Sequence, residues 1–160
     1  MSAVISPAVI EGNGDLELDV HDYMISQPLA IIGIRWIGKS YEAGKMCEQL
    51  CEVKQPFVVV DPEGEYWTLK ERYPVIVAAV GKPVGRPKGY KADLIVTAET
   101  AATLARRIAE KGYSVVLDSR NATMADQYAV LGNFLEGLYE AEAEYNRPLV
   151  VFMEEAHVLI

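Results

Sequence analysis

Two glycines, a lysine and a serine stand at a spacing that suits a bound phosphate. Residues 33–40 read Gly-Ile-Arg-Trp-Ile-Gly-Lys-Ser. Between a strand and a helix, the backbone N–H groups of such a loop cradle phosphate, and the helix N-terminus adds positive charge. Lys39 would reach the β- and γ-phosphates, and the Ser40 hydroxyl would hold Mg²⁺. The spacing predicts an ATP and Mg²⁺ site with these contact residues: Gly33, Arg35, Trp36, Gly38, Lys39, Ser40 and Tyr41.

Two adjacent acids complete the chemistry that the loop begins. Residues 150–153 read Val-Val-Phe-Met, and Glu154 and Glu155 follow them. An apolar strand that ends on acids can present a carboxylate to a metal shell and another to an attacking water. We expect Glu154 to share the metal with Ser40, and we expect Glu155 and Lys39 to be catalytic. The plainer alternative is a strand followed by a solvated, acidic start of a helix.

Apolar runs alternate with helical patterns along most of the chain. The runs predict buried strands at residues 29–33, 57–61, 75–80, 94–96, 114–118 and 148–153. Helical spacings predict helices after Ser40 up to Pro56, at 97–111 and at 123–145. This alternation predicts an α/β fold, a three-layer and mostly parallel sheet with helices on both faces. The carboxyl ends of its strands share one edge, which would bring together Gly33, Asp61, Asp118 and Glu154.

Size and charge narrow the class of protein. A chain of 160 residues suits one domain over 1–160, with 1–28 as an N-terminal extension or edge strand. The net charge of −8 argues against a sequence-independent nucleic-acid binder, although residues 81–91 carry four basic residues. That loop is expected to be solvated, or to touch DNA. No apolar run could span a membrane and no leader pattern is present, so the cytoplasm is expected.

The order of these motifs resembles a known family. After the phosphate loop come Val58-Val-Val-Asp-Pro-Glu-Gly-Glu-Tyr66, then Val115-Val-Leu-Asp118, then Glu154-Glu-Ala-His157. The set resembles the HerA and FtsK-type P-loop ATPases, and the Asp-Pro-x-Gly-Glu-Tyr and Glu-Glu-Ala-His elements are typical of the HerA-like branch. The resemblance covers roughly residues 20–160. It implies a RecA-like core, ATP hydrolysis with Mg²⁺, a hexameric ring and DNA translocation.

The resemblance also carries expectations about single residues. It implies that Asp61 and Glu65 lie near the nucleotide. Tyr66 and Trp67 are predicted to pack rather than to contact a ligand. His157 is expected to begin a helix without chemistry, or else to orient a neighbour in the site or act as a base. The i, i+4 cysteines Cys47 and Cys51 favour two thiols in a helix stripe over a metal site.

The chain departs from the family pattern inside the phosphate loop and at its end. Ile34, Trp36 and Ile37 stand where relatives carry small or polar residues, and glycine there permits close approach of phosphate. Relatives also continue past the acidic strand with a strand that lies between it and the P-loop strand. The chain is therefore expected to be a domain truncated after the acidic strand, whose sheet has a gap or closes up differently.

A different function remains open on the same scaffold. The chain is alternatively a degenerate or engineered P-loop protein, whose phosphate site has become an apolar pocket around Trp36 for a small molecule or designed catalysis. Ser119, Glu154 or His157 would then supply the polar chemistry. A third possibility is a module that only oligomerises.

Overall fold

The computed structural model describes residues 4–5, 18–19, 28, 30–32 and 37–156. Its strands are β1 (Val4–Ile5), β2 (Leu18–Asp19), β3 (Phe57–Asp61), β4 (Val75–Val80), β5 (Leu94–Val96), β6 (Ser114–Asp118) and β7 (Val150–Met153). Its helices are α1 (Lys39–Glu52), α2 (Ala98–Lys111) and α3 (Met124–Tyr145), with a 3-10 helix at Tyr66–Glu71. Four of the predicted strands coincide with observed ones at both ends, and the three predicted helices are confirmed.

Five strands form one parallel sheet in the order β5-β4-β6-β3-β7. Strands β1 and β2 pair with each other, antiparallel, in a separate two-stranded ladder. In the main sheet Asp61 stands opposite Asp118, and Met153 stands opposite Val60. Glu154 is the next residue after Met153, so it stands beside Asp61 at the end of the two strands. Three of the four residues predicted to share the carboxyl edge do share it.

Helices cover both faces of the sheet, as a three-layer α/β fold requires. On one face α2 and α3 pack on side chains such as Val58, Val115 and Leu117. On the other face α1 and the 3-10 helix pack on Phe57, Val59 and Val116. The central strands are buried throughout, because a parallel sheet between helix layers has no wet face. The fold class is confirmed.

The predicted strand at residues 29–33 is wrong for the part that the structure describes. Residues 30–32 form no strand, and Ile32 is 90% exposed. Ala30 and Ile31 line a cavity together with Phe152 and Met153 of β7, so the segment runs beside that strand without a ladder. A strand needs a ladder to satisfy its backbone groups, and residues 30–32 form none with β7. The expected gap or different closure of the sheet stays a prediction, because residues 29 and 33–36 lie outside the described part of the chain.

Within the described ranges, no helix has the length and apolar character to cross a membrane.

Candidate functional site

The glycine and lysine of the phosphate loop stand where α1 begins. Gly38 is the N-cap of α1, with a φ of 96°, a value that glycine adopts readily and L side chains resist. The first intrahelical bond runs from Glu42 N to Gly38 O, at 3.0 Å. The N–H groups of Lys39, Ser40 and Tyr41 precede that bond and have no helical acceptor to use. This end of α1 thus presents the donors and the positive helix end that suit an anion.

A cavity of about 480 Å³ joins the start of α1 to the end of β7. Lys39 lines it from the helix, and Glu154 and Glu155 line it from beyond the strand. Glu154 is fixed in place by its backbone, because its N–H donates to Val60 O at 3.2 Å. The structure therefore brings the predicted lysine and both predicted acids to one space, which we call the Lys39–Glu154 cavity. Its remaining lining is largely apolar: Ala30, Ile31, Ala43, Phe152, Met153 and Ala156.

Glu155 has an unusual backbone. Its φ is 49°, in the left-handed region that non-glycine residues seldom occupy. Such a conformation costs on the order of 1 kcal/mol and concentrates at functional sites. Here it turns the chain sharply after β7, so that two successive acids both line the same cavity.

Tyr66 connects the two sides of the site, which the sequence did not predict. Its hydroxyl donates a hydrogen bond to Glu154 Oε1 and lies 3.3 Å from the backbone oxygen of Ser40. Burial raises the pKa of this phenol, and the bond to Glu154 raises it further, so the group stays a donor. The predicted packing of Tyr66 is confirmed, and its hydroxyl makes a further contact that the sequence did not predict. Its ring does pack among buried residues of α1, but its polar end contacts the predicted metal ligand.

Asp61 shapes the turn from which Tyr66 projects. Its carboxylate accepts from Gly64 N at 2.6 Å and from Tyr66 N at 2.9 Å. The side chain is fully buried, and burial raises its pKa from 3.8 to about 6 against the lowering effect of these hydrogen bonds. Asp61 is thus a structural acid of the turn. Glu65, also expected near the nucleotide, is exposed and lines a separate groove with Ser40 and Tyr41.

The basic loop at 81–91 is not wholly solvated. Arg86 forms an ion pair with Asp118, and the two side chains are 5% and 2% exposed. Its guanidinium also lies 4.3 Å from the ring centroid of Tyr90. The other three basic residues of the loop, Lys82, Lys88 and Lys91, are exposed. The expectation of a solvated loop was therefore wrong for Arg86, because a buried carboxylate requires a buried partner.

Several predicted site residues lie outside the described part of the chain. These are Gly33, Arg35 and Trp36 of the phosphate loop, together with Ile34 and His157. Ile37, the one described residue of the altered interior, is 64% exposed, and Tyr41 is 66% exposed. Cys47 is buried and Cys51 is partly buried, and both are free thiols, as the i, i+4 spacing predicted.

The residues that would hold Mg²⁺ suit that ion. Among the described residues no group of three or more His, Cys, Asp or Glu forms a metal cage. Mg²⁺ in phosphate-binding sites needs no such cage, since it takes one or two protein oxygens, waters and phosphate oxygens. Ser40 and Glu154 would supply hard oxygen ligands of this kind, and the Tyr66 hydroxyl contacts the Ser40 backbone oxygen and the Glu154 carboxylate.

Comparison with known proteins shows the family of the chain. A family described as the central domain of the helicase HerA matches residues 8–146, which is most of the chain. The protein therefore belongs to the HerA central-domain family, a group of P-loop ATPase-like domains. No curated protein and no solved structure matches the chain. The five-stranded parallel sheet with helices on both faces is consistent with a P-loop core of that family.

Proposed function

We propose that this chain binds ATP with Mg²⁺ at the start of α1 and hydrolyses it, as a motor domain of HerA type. One observation carries the proposal: Lys39, Glu154 and Glu155 line one cavity at the carboxyl edge of the sheet. Ligands of open α/β sheets bind at that edge. Membership of the HerA family supports the same activity.

The residues would divide the work as follows. The backbone of Gly33 and Gly38, with the N–H groups of the first turn of α1, would cradle the phosphates. The Lys39 ammonium would lie against the β- and γ-phosphates, while Arg35, Trp36 and Tyr41 would flank the nucleotide. Ser40 and Glu154 would hold Mg²⁺, which when bound neutralises charge on the phosphates.

Glu155 would act on the water. Its carboxylate lines the same cavity as Lys39, and its left-handed backbone keeps it beside Glu154. A positioned carboxylate that accepts a proton from water contributes about 10²–10⁴-fold to a hydrolysis rate. We therefore expect Glu155→Gln to bind Mg²⁺·ATP normally and to lose at least about a hundredfold in turnover.

Assembly and DNA binding complete the proposal. The HerA-like role calls for a homo-oligomeric ring, with DNA held at basic loops. Lys82, Lys88 and Lys91 are exposed on the loop at 81–91, which would supply such contacts despite a net charge of −8. Replacing these three lysines by glutamate should abolish salt-sensitive binding of a labelled duplex. Sedimentation showing a strict monomer with Mg²⁺·ATP would remove the ring from the proposal.

Isothermal titration with ATP and Mg²⁺ tests the nucleotide claim. The wild type should bind, and Lys39→Ala should weaken binding at least about tenfold, because a charge-assisted contact to phosphate is lost. Lys111→Ala is the matched control, since Lys111 is exposed at the end of α2 and pairs with its neighbour Glu110. If the wild type shows no binding at millimolar ATP, or if both variants weaken equally, the proposal fails.

A further inference from the structure

The hydroxyl of Tyr66 touches both halves of the candidate site. It lies 3.3 Å from the Ser40 backbone oxygen and donates to Glu154 Oε1. Those contacts span 26 and 88 positions in sequence, so they join elements that are otherwise far apart along the chain. A group placed in this way can set the position of Glu154 relative to the start of α1.

The position of Tyr66 is itself determined from both ends. At its backbone, the N–H donates to Asp61 Oδ2 at 2.9 Å, and the same carboxylate holds Gly64 N at 2.6 Å. At its ring, Tyr66 is 4% exposed and packs with buried residues of α1 such as Met46 and Cys47. The hydroxyl therefore has little freedom to move away from Glu154, and the carboxylate is held by a fixed donor.

This contact leaves one side of the carboxylate available. Glu154 has two oxygens, and Tyr66 occupies Oε1 with a hydrogen bond to a charged acceptor, which is stronger than a bond between neutral groups. Glu154 also lines the cavity shared with Lys39. A carboxylate that is already oriented loses less rotamer freedom when it takes up a cation.

We propose that Tyr66 is a positioning residue, which holds Glu154 oriented toward Ser40 and so strengthens the Mg²⁺-dependent part of nucleotide binding. The inference rests on the proposed function, because it assigns Glu154 to the metal. It goes further by giving a role to the last residue of the Asp61–Tyr66 turn. Asp61 and Gly64 act through Tyr66 and do not themselves contact the ligand.

The test compares ATP affinity in Mg²⁺ with ATP affinity in EDTA. Tyr66→Phe keeps the ring and removes the hydroxyl, so its affinity in EDTA should equal that of the wild type. In Mg²⁺ it should lose about tenfold, as expected for one hydrogen bond to a charged group. The control is Tyr73→Phe, which removes a hydroxyl lying 3.5 Å from Glu52, away from the cavity. That variant should match the wild type in both conditions.

A double-mutant cycle in the nucleotide-free chain adds a second readout. Stability should be non-additive for Tyr66→Phe and Glu154→Ala, because each removes the same hydrogen bond. Three results would overturn the inference. Mg²⁺ could raise the ATP affinity of Tyr66→Phe as much as that of the wild type, or Tyr66→Phe could lose ATP affinity equally in EDTA and in Mg²⁺. The third is that the two substitutions change the free energy of unfolding additively. If the wild type binds no ATP in either condition, the proposed function falls and the inference falls with it. If the wild type binds ATP and Tyr66→Phe binds it equally well in both conditions, the inference fails while the proposed function stands.

Discussion

The guanidinium of Arg86 and the carboxylate of Asp118 form an ion pair at the carboxyl edge of the sheet, almost entirely out of contact with water. The pair fastens the basic loop at 81–91 to the end of β6. Asp118 uses its other oxygen as well, since Oδ1 accepts from Arg120 N at 3.2 Å. A loop that would otherwise extend into solvent is thereby tied to the strand beside β3, close to the Asp61–Tyr66 turn.

Breaking this pair on one side should destabilise the protein strongly. Arg86→Met keeps much of the volume but leaves a buried carboxylate without a partner, which costs about 3–5 kcal/mol. Adding Asp118→Asn removes the unpaired buried charge and should recover a large part of the lost free energy of unfolding. Urea denaturation measures the three free energies of unfolding. An Arg86→Met value within about 1 kcal/mol of the wild type would mean that the pair is not buried as described.

Arg86 also explains why the turn needs glycine at position 64. Gly64 has a φ of +68°, and a Cβ there would overlap the Arg86 guanidinium. Gly85 has the same φ of +68° but open space around it, so it is the matched control. Gly85→Ala should cost only the backbone strain, about 1 kcal/mol. Gly64→Ala should cost about 1–3 kcal/mol more, because the clash is added.

The Arg86→Ala background separates the cost of backbone strain at Gly64 from the cost of the clash with the guanidinium. With the guanidinium removed, the cost of Gly64→Ala should fall to that of Gly85→Ala. Equal costs for the two glycines in the wild-type background would contradict the close approach of Arg86.

The buried carboxyl of Asp61 should give stability a particular pH dependence. Its pKa is about 6 in the folded chain against an ordinary 3.8, so the folded state binds the extra proton between these values. The free energy of unfolding contributed by Asp61 therefore falls as pH rises from about 4 to 7, by on the order of 2 kcal/mol. Subtracting the profile of Asp61→Asn from that of the wild type should isolate this decline.

Asp93 provides a control of opposite sign. Burial alone would raise its pKa, but the hydrogen bonds from Lys70 and from Val77 N lower the pKa overall. The stability contributed by Asp93 should therefore rise with pH, and Asp93→Asn should remove a rise instead of a decline. The same slope in both difference profiles would contradict the assignment for Asp61.

Helices α2 and α3 approach closely at Gly137. A Cβ on Gly137 would lie 2.7 Å from Ala102 Cα, whereas Gly132 on the same helix has nothing within 4 Å. Gly137→Ala should therefore destabilise by about 1–3 kcal/mol through overpacking. Gly132→Ala should stabilise by about 0.5–1 kcal/mol, because alanine is the better helix former. Thermal unfolding should move in opposite directions for the two variants, and a shift of the same sign would refute the packing.

Much of the fold could be predicted from the sequence because local patterns decide it. Buried parallel strands read as continuous apolar runs, which located β3, β4 and β6 at both ends. The run at 29–33 has the same character, yet residues 30–32 form no strand. A strand also needs a neighbour to pair with, and that neighbour is a property of the whole sheet that an apolar run does not encode.

The candidate site was predictable only where it lies in motifs. Lys39, Glu154 and Glu155 were found because their spacing reflects chemistry, and the cavity unites them. The hydrogen bond from Tyr66 to Glu154 and the ion pair of Arg86 with Asp118 join segments that are distant in sequence. A tyrosine or an arginine in a sequence does not by itself predict which residue it contacts. The signal that could have pointed to Tyr66 was its place at the end of the Asp-Pro-x-Gly-Glu-Tyr element. The first residue of that element, Asp61, accepts a hydrogen bond from the Tyr66 backbone and so fixes the tyrosine relative to the sheet.

The altered interior of the phosphate loop gives a prediction about specificity. Ile34, Trp36 and Ile37 stand where small residues would let phosphate approach the backbone. If the chain is an ATPase-like domain with a constricted loop, Trp36→Gly should raise ATP affinity about tenfold, which titration calorimetry resolves. If the loop has become an apolar pocket, the wild type should bind flat apolar probes, and the same change should abolish that binding and restore nucleotide affinity.

Hydrogen exchange at the start of α1 tests the central claim most directly. The amides of Lys39, Ser40 and Tyr41 precede the first intrahelical bond, so they should exchange fast in the free chain. Mg²⁺·ATP should slow their exchange in the wild type, because phosphate oxygens accept from them, and the same slowing should need at least about tenfold more ATP in Lys39→Ala. Unchanged exchange of these amides at millimolar Mg²⁺·ATP would contradict the account.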